Sequence, residues 1–409
     1  MSGAALAVLD ALLAPDGQRL LEEAGRALDE GVDPLPLSGR LRGRHPGPAG
    51  ATLVATALTQ LALRSRAREK FRLADQMWFT REGLEQASSE RMAALRAARY
   101  EPYPDVADLC TGIGGDLVAL AKGRRVLAVD RDPLHLRMAE LNARAHGCAQ
   151  VRTRCEDVAA VPLTGVSAVF VDPARREGAR RLPAGRSQPP LDWCLGLMSR
   201  VPAVGIKAAP GLPLALVPAG WEVEFVSEAA DLAEARLWSP ALATATRRAT
   251  VLPGGETLTG RGVPEQDKFD EHEVGKGKLG EVRVAAPGAH LLDPDPAVTR
   301  AGLVEELAVS LGAWKIDDRI AFLSADAPLR TPFGRSYRVE ASLPWQLKRL
   351  RTVLRERGIG AVDVRKRGSA VDVDDLARRL RLEGDRRATV VLTRVGDRPW
   401  ALVCTLDPS

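Results

Sequence analysis

Apolar positions follow two different periods along the chain, and the change of period divides it. Over residues 1–100 apolar side chains such as Leu9 and Leu13 recur three or four positions apart. This spacing is typical of amphipathic helices and predicts an N-terminal helical domain, with residues 35–50, rich in Pro and Gly, as a connector. From residue 101 onward short β-branched runs alternate with amphipathic stretches, which predicts an α/β sheet.

Seven short runs are predicted to form the strands of this sheet. The run at 166–171 is continuous and β-branched, the pattern of a strand that is buried on both faces of a parallel sheet. The segment 232–237 is predicted to be a helix between two of the runs. The seven predicted strands cover residues 106–109, 126–129, 151–154, 166–171, 204–207, 221–226 and 249–252.

A glycine-rich turn, Thr111-Gly112-Ile113-Gly114-Gly115, follows the first predicted strand. A helix-forming stretch comes next, and then a second strand that ends on Asp130. This order is typical of a nucleotide-type ligand bound in an open α/β sheet, where the acid accepts hydrogen bonds from ribose hydroxyls. Gly112 and Gly114 are predicted to bind the cofactor, because glycine lets the backbone approach a ligand closely.

The glycine spacing favours one cofactor class over another. A dinucleotide fingerprint needs a third glycine three residues after Gly114, and that position is Leu117. The acid on the first strand, Asp108, would favour the ammonium and sulfonium cations of S-adenosylmethionine (SAM). SAM is therefore the predicted cofactor, NAD is a remote alternative, and an ordinary βαβ turn without a ligand stays open.

Further acids follow the third and fourth predicted strands. Asp157 is predicted to accept the adenine amino group, and Asp172-Pro173 comes directly after the fourth strand. Ligands of such sheets bind at the carboxyl ends of the strands, so these residues are predicted to share one site. Asp172 is the candidate for orienting or deprotonating the methyl acceptor, and Pro173 for fixing the local backbone.

Residues 71–176 resemble class I SAM-dependent methyltransferases, most closely the trimethylguanosine-synthase-like branch. The glycine turn, the acids at the strand tips and the preceding Thr80-Arg81-Glu82-Gly83-Leu84 carry the resemblance. It implies a Rossmann-like seven-stranded class I methyltransferase sheet. It also implies contacts of Asp108 and Gly112 with the methionine part of SAM, of Asp130 with the ribose and of Asp157 with the adenine, and a catalytic strand tip at Asp172-Pro173.

The residues after Pro173 depart from that family. Aminomethylating relatives continue with a second Pro and an aromatic residue that stacks on the base, whereas this chain has Ala174 and Arg175. The chemical nature of the methyl acceptor therefore stays open. The first interpretation is a methyltransferase acting on a base in tRNA or rRNA. The alternatives are a small-molecule or protein methyltransferase and a non-catalytic SAM-binding module that interacts with RNA.

Two basic regions are predicted to contact substrate or RNA phosphates. Arg175 and Arg176 open a loop beside the predicted site, and Lys207 lies at a predicted strand tip. Residues 345–367 contain eight Lys or Arg and only two acids, and such a surplus favours a polyanionic partner. The candidates in this second region are Lys348, Arg349, Arg351 and Lys366.

The C-terminal part of the chain resembles the THUMP-like domain that is appended to some bacterial methyltransferases. THUMP domains deliver RNA to a catalytic domain, so the resemblance implies an RNA partner. Four segments are thus predicted: a helical domain at 1–100, a SAM-binding methyltransferase domain at 101–253, a linker and transition segment at 254–335, and a small α/β THUMP-like domain at 336–409.

The amino-acid composition further limits the class of protein to which the chain can belong. The net charge of +5 is a mild bias towards polyanions. The five cysteines include no CxxC pair and the five histidines are dispersed, so neither a disulfide framework nor a metal site is predicted. Because no apolar stretch is long enough to cross a bilayer and the N-terminus lacks a signal-peptide pattern, a cytoplasmic protein without membrane contact is expected.

Overall fold

The computed structural model describes residues 2–174, 176–177, 180–181, 187–260 and 282–407. The chain forms two compact units, one of Met1–Ala208 with Trp238–Leu242 and one of Ala209–Leu237 with Ala243–Ser409. Most of the basic loop after Ala174 and most of the polar segment predicted as a linker or long hairpin lie outside the described residues.

Helices precede the sheet of the first unit, as the apolar period predicts. They bury a common apolar cluster to which Leu12, Leu37, Leu41 and Val54 contribute fully buried side chains. Two of the helices begin at capping side chains, because the hydroxyls of Thr80 and Ser89 accept hydrogen bonds from backbone amides of the first turn. The helices are α1 Ser2–Leu13, α2 Pro15–Asp29, α3 Pro34–Arg44, α4 Gly47–Ala67, α5 Arg81–Gln86 and α6 Glu90–Ala98.

The predicted connector at residues 35–50 is wrong, because most of it is helix α3. Pro34 and Pro36 occupy the first turn, where the amide that proline lacks would have no partner within the helix. Asp33 caps the helix by accepting a hydrogen bond from the Leu35 amide at 2.8 Å. Leu37 and Leu41, one turn apart, are both fully buried, so packing stabilises a helix that composition alone argues against.

The first unit continues with a parallel sheet. Its strands are hydrogen-bonded in the order β3-β2-β1-β4-β7, and consecutive parallel strands are joined by crossovers as in other α/β folds. The interior strand β4 is buried along its whole length, as its apolar run predicts. The elements are β1 Asp105–Leu109, α7 Leu117–Leu120, β2 Arg125–Asp130, α8 Pro133–Ala145, β3 Val151–Cys155, β4 Ala168–Val171, the short pair β5 Arg176–Glu177 and β6 Arg180–Arg181, α9 Leu191–Gly196 and β7 Ala203–Ala208.

The second unit begins with four strands: β8 Glu222–Glu228, β9 Asp231–Trp238, β10 Arg247–Leu252 and β11 Glu256–Thr259. The predicted helix at 232–237 is wrong, since this segment is strand β9. Its charged residues Glu234 and Arg236 are both buried and form an ion pair, so a polar pattern that suggests an exposed helix face belongs to a buried strand. β9 and β11 are two strands that the sequence pattern does not predict. Among the described residues the sheet order therefore contains nine strands, two more than the seven predicted.

The rest of the second unit contains a seven-stranded sheet in the order β13-β14-β12-β15-β18-β17-β16. The segment 296–311 forms two helices because Gly302 adopts a left-handed conformation (φ +69°) between them. The apolar residues of α12 and α13 pack on the C-terminal strands of this sheet. The elements are β12 His290–Pro294, α10 Pro296–Ala301, α11 Val304–Leu311, β13 Trp314–Lys315, β14 Leu323–Ala325, β15 Gly334–Pro344, α12 Leu347–Glu356, β16 Ile359–Lys366, α13 Val373–Leu380, β17 Arg386–Val395 and β18 Arg398–Leu406.

Candidate active site

A cavity of about 760 Å³ lies at the carboxyl ends of the parallel strands of the first unit. Its size is usual for a small-molecule site, for which volumes of ~300–1,000 Å³ are typical. Among its wall residues are several that the sequence predicts: Gly112, Asp130, Asp157, Asp172, Pro173 and Lys207. The topology brings them together because each follows or ends a parallel strand at the same edge of the sheet.

The turn after β1 is built from residues in the left-handed backbone region. Cys110 and Gly112 have φ values of 61° and 55°, and the Gly112 amide donates a hydrogen bond of 2.8 Å to Asp130 Oδ2. A Cβ atom on Gly112 would meet no other atom within 4 Å, so the backbone is open to the cavity at this point. The left-handed conformation favours glycine there, and the hydrogen bond fixes the turn to the tip of β2.

Gly114 has a different role from the one predicted. A Cβ atom at this position would lie 3.1 Å from the Cα atom of Ala139 on α8, so the absence of a side chain allows the turn to pack on that helix. Gly115, rather than Gly114, borders the cavity.

Asp108 is buried beneath the glycine turn. It is 1% exposed, its Oδ2 accepts a hydrogen bond from the Thr111 hydroxyl, and its Oδ1 has no hydrogen-bond partner among the described residues. The pKa of this carboxyl group is raised to about 7, chiefly by burial and also by the Asp172 carboxylate, whereas the Thr111 hydrogen bond opposes the increase. A buried acceptor without a partner is rare in folded proteins, and a cationic ligand group would satisfy it.

The side chain of Lys207 is paired with the carboxylate of Asp172. Its Nζ atom lies 2.7 Å from Asp172 Oδ2 and donates a second hydrogen bond of 3.2 Å to the hydroxyl of Ser88. The Lys207 side chain is only 5% exposed, against 27% for Asp172. The charge of Lys207 is therefore compensated inside the protein, and its contact with substrate or RNA phosphate stays a prediction.

Ser88 continues this network into the core of the first unit. Its hydroxyl group donates to Asp116 Oδ2 at 3.2 Å and accepts a hydrogen bond of 3.3 Å from Arg96 Nη1. Arg96 is fully buried, forms an ion pair with Asp116 and lies over the ring of Phe170. The strand tip that carries Asp172 is thus supported by a continuous chain of charged and polar contacts.

Comparison with known proteins identifies the family. The chain is 36% identical, over 78% of its own length and 86% of the relative's, to an uncharacterized S-adenosylmethionine-dependent methyltransferase found in two strains of Mycobacterium tuberculosis. It belongs to the SAM-dependent methyltransferases. A solved structure from Porphyromonas gingivalis, provisionally assigned as a methyltransferase, has the same fold with a TM-score of 0.70 at 18% identity, covering 89% of this chain and 92% of that one.

Two family models match separate parts of the methyltransferase. A THUMP domain-like model covers residues 334–406, which confirms the predicted THUMP-like character of the C-terminal region. A model for a domain of unknown function covers residues 5–67.

The residues of the methyltransferase cavity fit SAM by their own chemistry. Asp108 is not among the residues that border the cavity; it lies buried beneath the glycine turn, where the ionised form of its unpartnered carboxyl group would attract a cationic group strongly. Asp130 lies at the tip of β2 and Asp157 beyond β3, and both border the cavity. One oxygen of Asp157 accepts the Ala159 amide at 2.9 Å, and the carboxylate keeps acceptor capacity for a ligand.

Substitution of Asp108 by Asn is expected to weaken SAM binding and to stabilise the ligand-free methyltransferase. The raised pKa of about 7 means that folding favours the protonated acid, so its contribution to stability is complete below about pH 4 and is lost as pH rises to about 7. Because the amide of Asn does not ionise, the variant avoids this loss of stability. At about pH 8 its free energy of unfolding should exceed that of wild type by ~1–3 kcal/mol. Urea unfolding and calorimetric SAM titration at about pH 5 and pH 8 measure both effects. Equal SAM affinities of wild type and variant at the higher pH would contradict the role of Asp108.

The predicted RNA-binding residues occupy several kinds of environment. Arg175 lies outside the described residues, and of Arg176 only the backbone, in β5, is described. Arg351 donates a hydrogen bond to the carbonyl of Arg379 at the end of α13, and Lys366 donates one of 3.2 Å to the Val371 carbonyl. These last two side chains therefore stabilise the C-terminal domain itself.

Lys348 and Arg349 differ from these residues. Both are exposed in the first turn of α12, and among the described residues neither has an ion pair or a side-chain hydrogen bond. Positive charge at the N-terminus of a helix is unfavourable to the helix dipole. Local stability therefore does not account for these two cations, and they are available to a partner.

Several wall residues of the cavity are not predicted by the sequence. Thr111 follows the tip of β1, so the strand-tip rule that selects Asp130 also applies to it. Gln188, Pro189 and Trp193 line the same wall although they come more than a dozen residues after Asp172 in the chain. No local pattern marks them, because tertiary contacts alone bring them to the site.

In the part of the chain that the structure describes, no helix is long and apolar enough to cross a membrane. The same residues contain no group of three or more His, Cys, Asp or Glu side chains with the arrangement of a metal site.

Proposed function

We propose that this SAM-dependent methyltransferase methylates a base in tRNA or rRNA and that its basic C-terminal domain holds the RNA. The observation that carries the proposal is the pair of exposed cations Lys348 and Arg349, in a domain that matches a THUMP-like family model. Such cations favour contacts to phosphate. The proposal includes the trimethylguanosine-synthase-like branch, on the motif from Thr80 to Leu84, and a cytoplasmic location, on the five free cysteines.

Within the cavity, each cofactor-binding residue is assigned to one part of SAM. Asp108 and Gly112 would hold the methionine part, Asp130 the ribose hydroxyls and Asp157 the adenine amino group. When bound, SAM supplies an activated methyl group on a sulfonium, which is a good leaving group. The remaining task of the protein is alignment, and positioning contributes up to ~7–11 kcal/mol to such reactions.

Asp172 is assigned the task of orienting the methyl acceptor. Its Oδ2 accepts a hydrogen bond from Lys207 Nζ. Its Oδ1 has no hydrogen bond among the described residues and is available to accept one from an N–H or O–H group of the base. A carboxylate in this position can also receive the proton that the acceptor atom loses. Pro173 restricts the backbone that carries this carboxylate.

Cys110 also borders the cavity, and its chemistry favours direct transfer. Burial raises the pKa of its thiol well above the usual value, and the carboxylates of Asp130 and Asp172 raise it further. The thiol is therefore kept protonated and is a poor nucleophile. This supports transfer to a nitrogen or oxygen atom of the base without a covalent cysteine adduct.

The decisive experiment measures transfer of labelled methyl from SAM into RNA, protein and small-molecule fractions of cells that lack this gene. Purified Asp130→Ala protein serves as the blank. We expect label in one size class of RNA, corresponding to tRNA or rRNA. Label only in protein or in small molecules would favour the alternative substrates, and no label above the blank despite SAM binding would indicate a non-catalytic module.

A Lys348→Gln/Arg349→Gln double variant is expected to bind bulk RNA more weakly than wild type. If each side chain contacts one phosphate, the slope of log Kd against log salt should decrease by about 1 per lost contact. The Arg26→Gln/Arg72→Gln variant removes the same charge from exposed positions among the N-terminal helices and is the control. Filter binding at several salt concentrations measures the slopes, and equal slopes for the two variants would contradict the proposed RNA surface.

A further inference from the structure

The aromatic side chain of the cavity wall comes from outside the strand-tip motifs. Trp193, in the first turn of α9, borders the same cavity as Asp172 and Pro173. It is the one Phe, Trp or Tyr residue among the described residues that line this cavity, in a chain where these three types make up only 4% of the sequence. Its indole is half-buried, so part of the side chain is accessible to a ligand.

The backbone holds Trp193 close to the tip of β4. Ala174 and Gln188 form an antiparallel bridge in which each amide donates to the other residue's carbonyl at 2.9 Å. Pro190 then precedes α9, and Cys194, directly after Trp193, is fully buried and anchors the helix. The position of the indole is therefore determined by two fixed points, one on each side of it.

The lining of the cavity contains both apolar and acidic side chains. Pro173, Ala174, Pro189 and Pro190 border the cavity, as Trp193 does. Among the residues that the structure describes, the cavity is lined by seven carboxylates, at Glu82, Glu85, Asp130, Asp132, Glu156, Asp157 and Asp172, and by two cations, at Arg131 and Lys207. Phosphate would be repelled by this surplus of negative charge, whereas a flat, uncharged ring would bury its faces against proline and indole surfaces.

We propose that Trp193 forms the stacking wall of a subsite for a single RNA base that has left its stack, with the edge of the base directed at Asp172. The inference rests on the proposed function and extends it, because it names what enters the cavity: one neutral base, with the phosphates held outside. Enzymes that modify bases usually take them out of the stack and hold them against aromatic or apolar side chains. Stacking on an aromatic ring is also largely independent of base identity.

Three substitutions separate stacking from packing. Trp193→Phe keeps an aromatic ring and should reduce kcat/KM for RNA only a few-fold. Trp193→Leu keeps apolar bulk without a π face, and Trp193→Ala removes both. The Leu and Ala variants should both have a kcat/KM for RNA about 10- to 100-fold lower than wild type, because stacking of one base contributes that much to binding. The loss should appear mainly in KM for RNA, while SAM affinity stays within about two-fold of wild type.

The test uses the full-length protein, labelled SAM and bulk RNA from cells that lack the gene. Asp192→Asn changes the exposed neighbour of Trp193 on the same helical turn and is the control for local disturbance. Equal activities of the Leu and Phe variants, or full activity of the Ala variant, would overturn the stacking wall and leave the proposed function intact. If wild-type protein transfers no label to RNA, the proposed function fails, and this inference fails with it.

Discussion

Replacement of Asp172 by Asn is expected to lower kcat for methyl transfer by about 10²–10⁴-fold, the usual contribution of a positioned general base, while the Kd for SAM stays within about two-fold. Asn keeps the size of the side chain and a carbonyl oxygen, but it removes the negative charge that would orient or deprotonate the acceptor. Because Asp172 is assigned to the acceptor and not to SAM, the substitution should lower turnover without weakening SAM binding. Calorimetry for SAM and single-turnover label transfer measure the two quantities.

The same substitution leaves Lys207 without its partner, so folding has to be controlled. Lys207 is 5% exposed and lies 2.7 Å from Asp172 Oδ2, and an unpaired buried ammonium group is destabilising. The Asp172→Asn/Lys207→Met variant removes both charges and should recover stability without recovering activity. Recovery of turnover in the double variant would show that Asp172 acts only through folding. Parallel losses of SAM affinity and turnover in the single variant would contradict its assignment to the acceptor.

Replacement of Arg96 by Met is expected to lower the free energy of unfolding by ~3–5 kcal/mol. Arg96 is fully buried and pairs with Asp116, whose side chain is 9% exposed. Removal of the guanidinium leaves this carboxylate without its counter-ion in a low-dielectric environment, and it also removes a donor to Ser88. Urea unfolding followed by tryptophan fluorescence measures the change.

An exposed pair provides the matched control. Arg125 and Asp105 form an Arg–Asp ion pair whose side chains are 56% and 28% exposed, and Arg125→Met should cost less than ~1 kcal/mol because water screens such pairs. The Arg96→Met/Asp116→Asn variant should recover part of the loss, since the unpaired charge is then gone. Similar losses for Arg96→Met and Arg125→Met would contradict the importance of burial for the Arg96–Asp116 pair.

Local patterns account for the elements that the sequence predicts well. The parallel strands β1, β2 and β4 are short, largely apolar runs, and β1 and β4 are almost wholly buried. The patterns fail where polar or helix-breaking residues are buried by distant partners. Helix α3 contains two prolines and two glycines but is stabilised by packing. Strand β9 contains two charged residues that form a buried ion pair, and in the sequence their pattern is typical of an exposed helix face.

The sequence by itself determines which residues meet at the strand-tip edge of the cavity. Gly112, Asp130, Asp157 and Asp172 lie at strand tips within one stretch of chain, and parallel strands bring their carboxyl ends to a common edge. Only the tertiary structure decides the rest: the pairing of Lys207 with Asp172, the packing of Gly114 on α8, the raised pKa of Asp108 and the place of Trp193 in the wall. These features depend on burial and on contacts between residues far apart in the chain, and neither is encoded in a local pattern of residues.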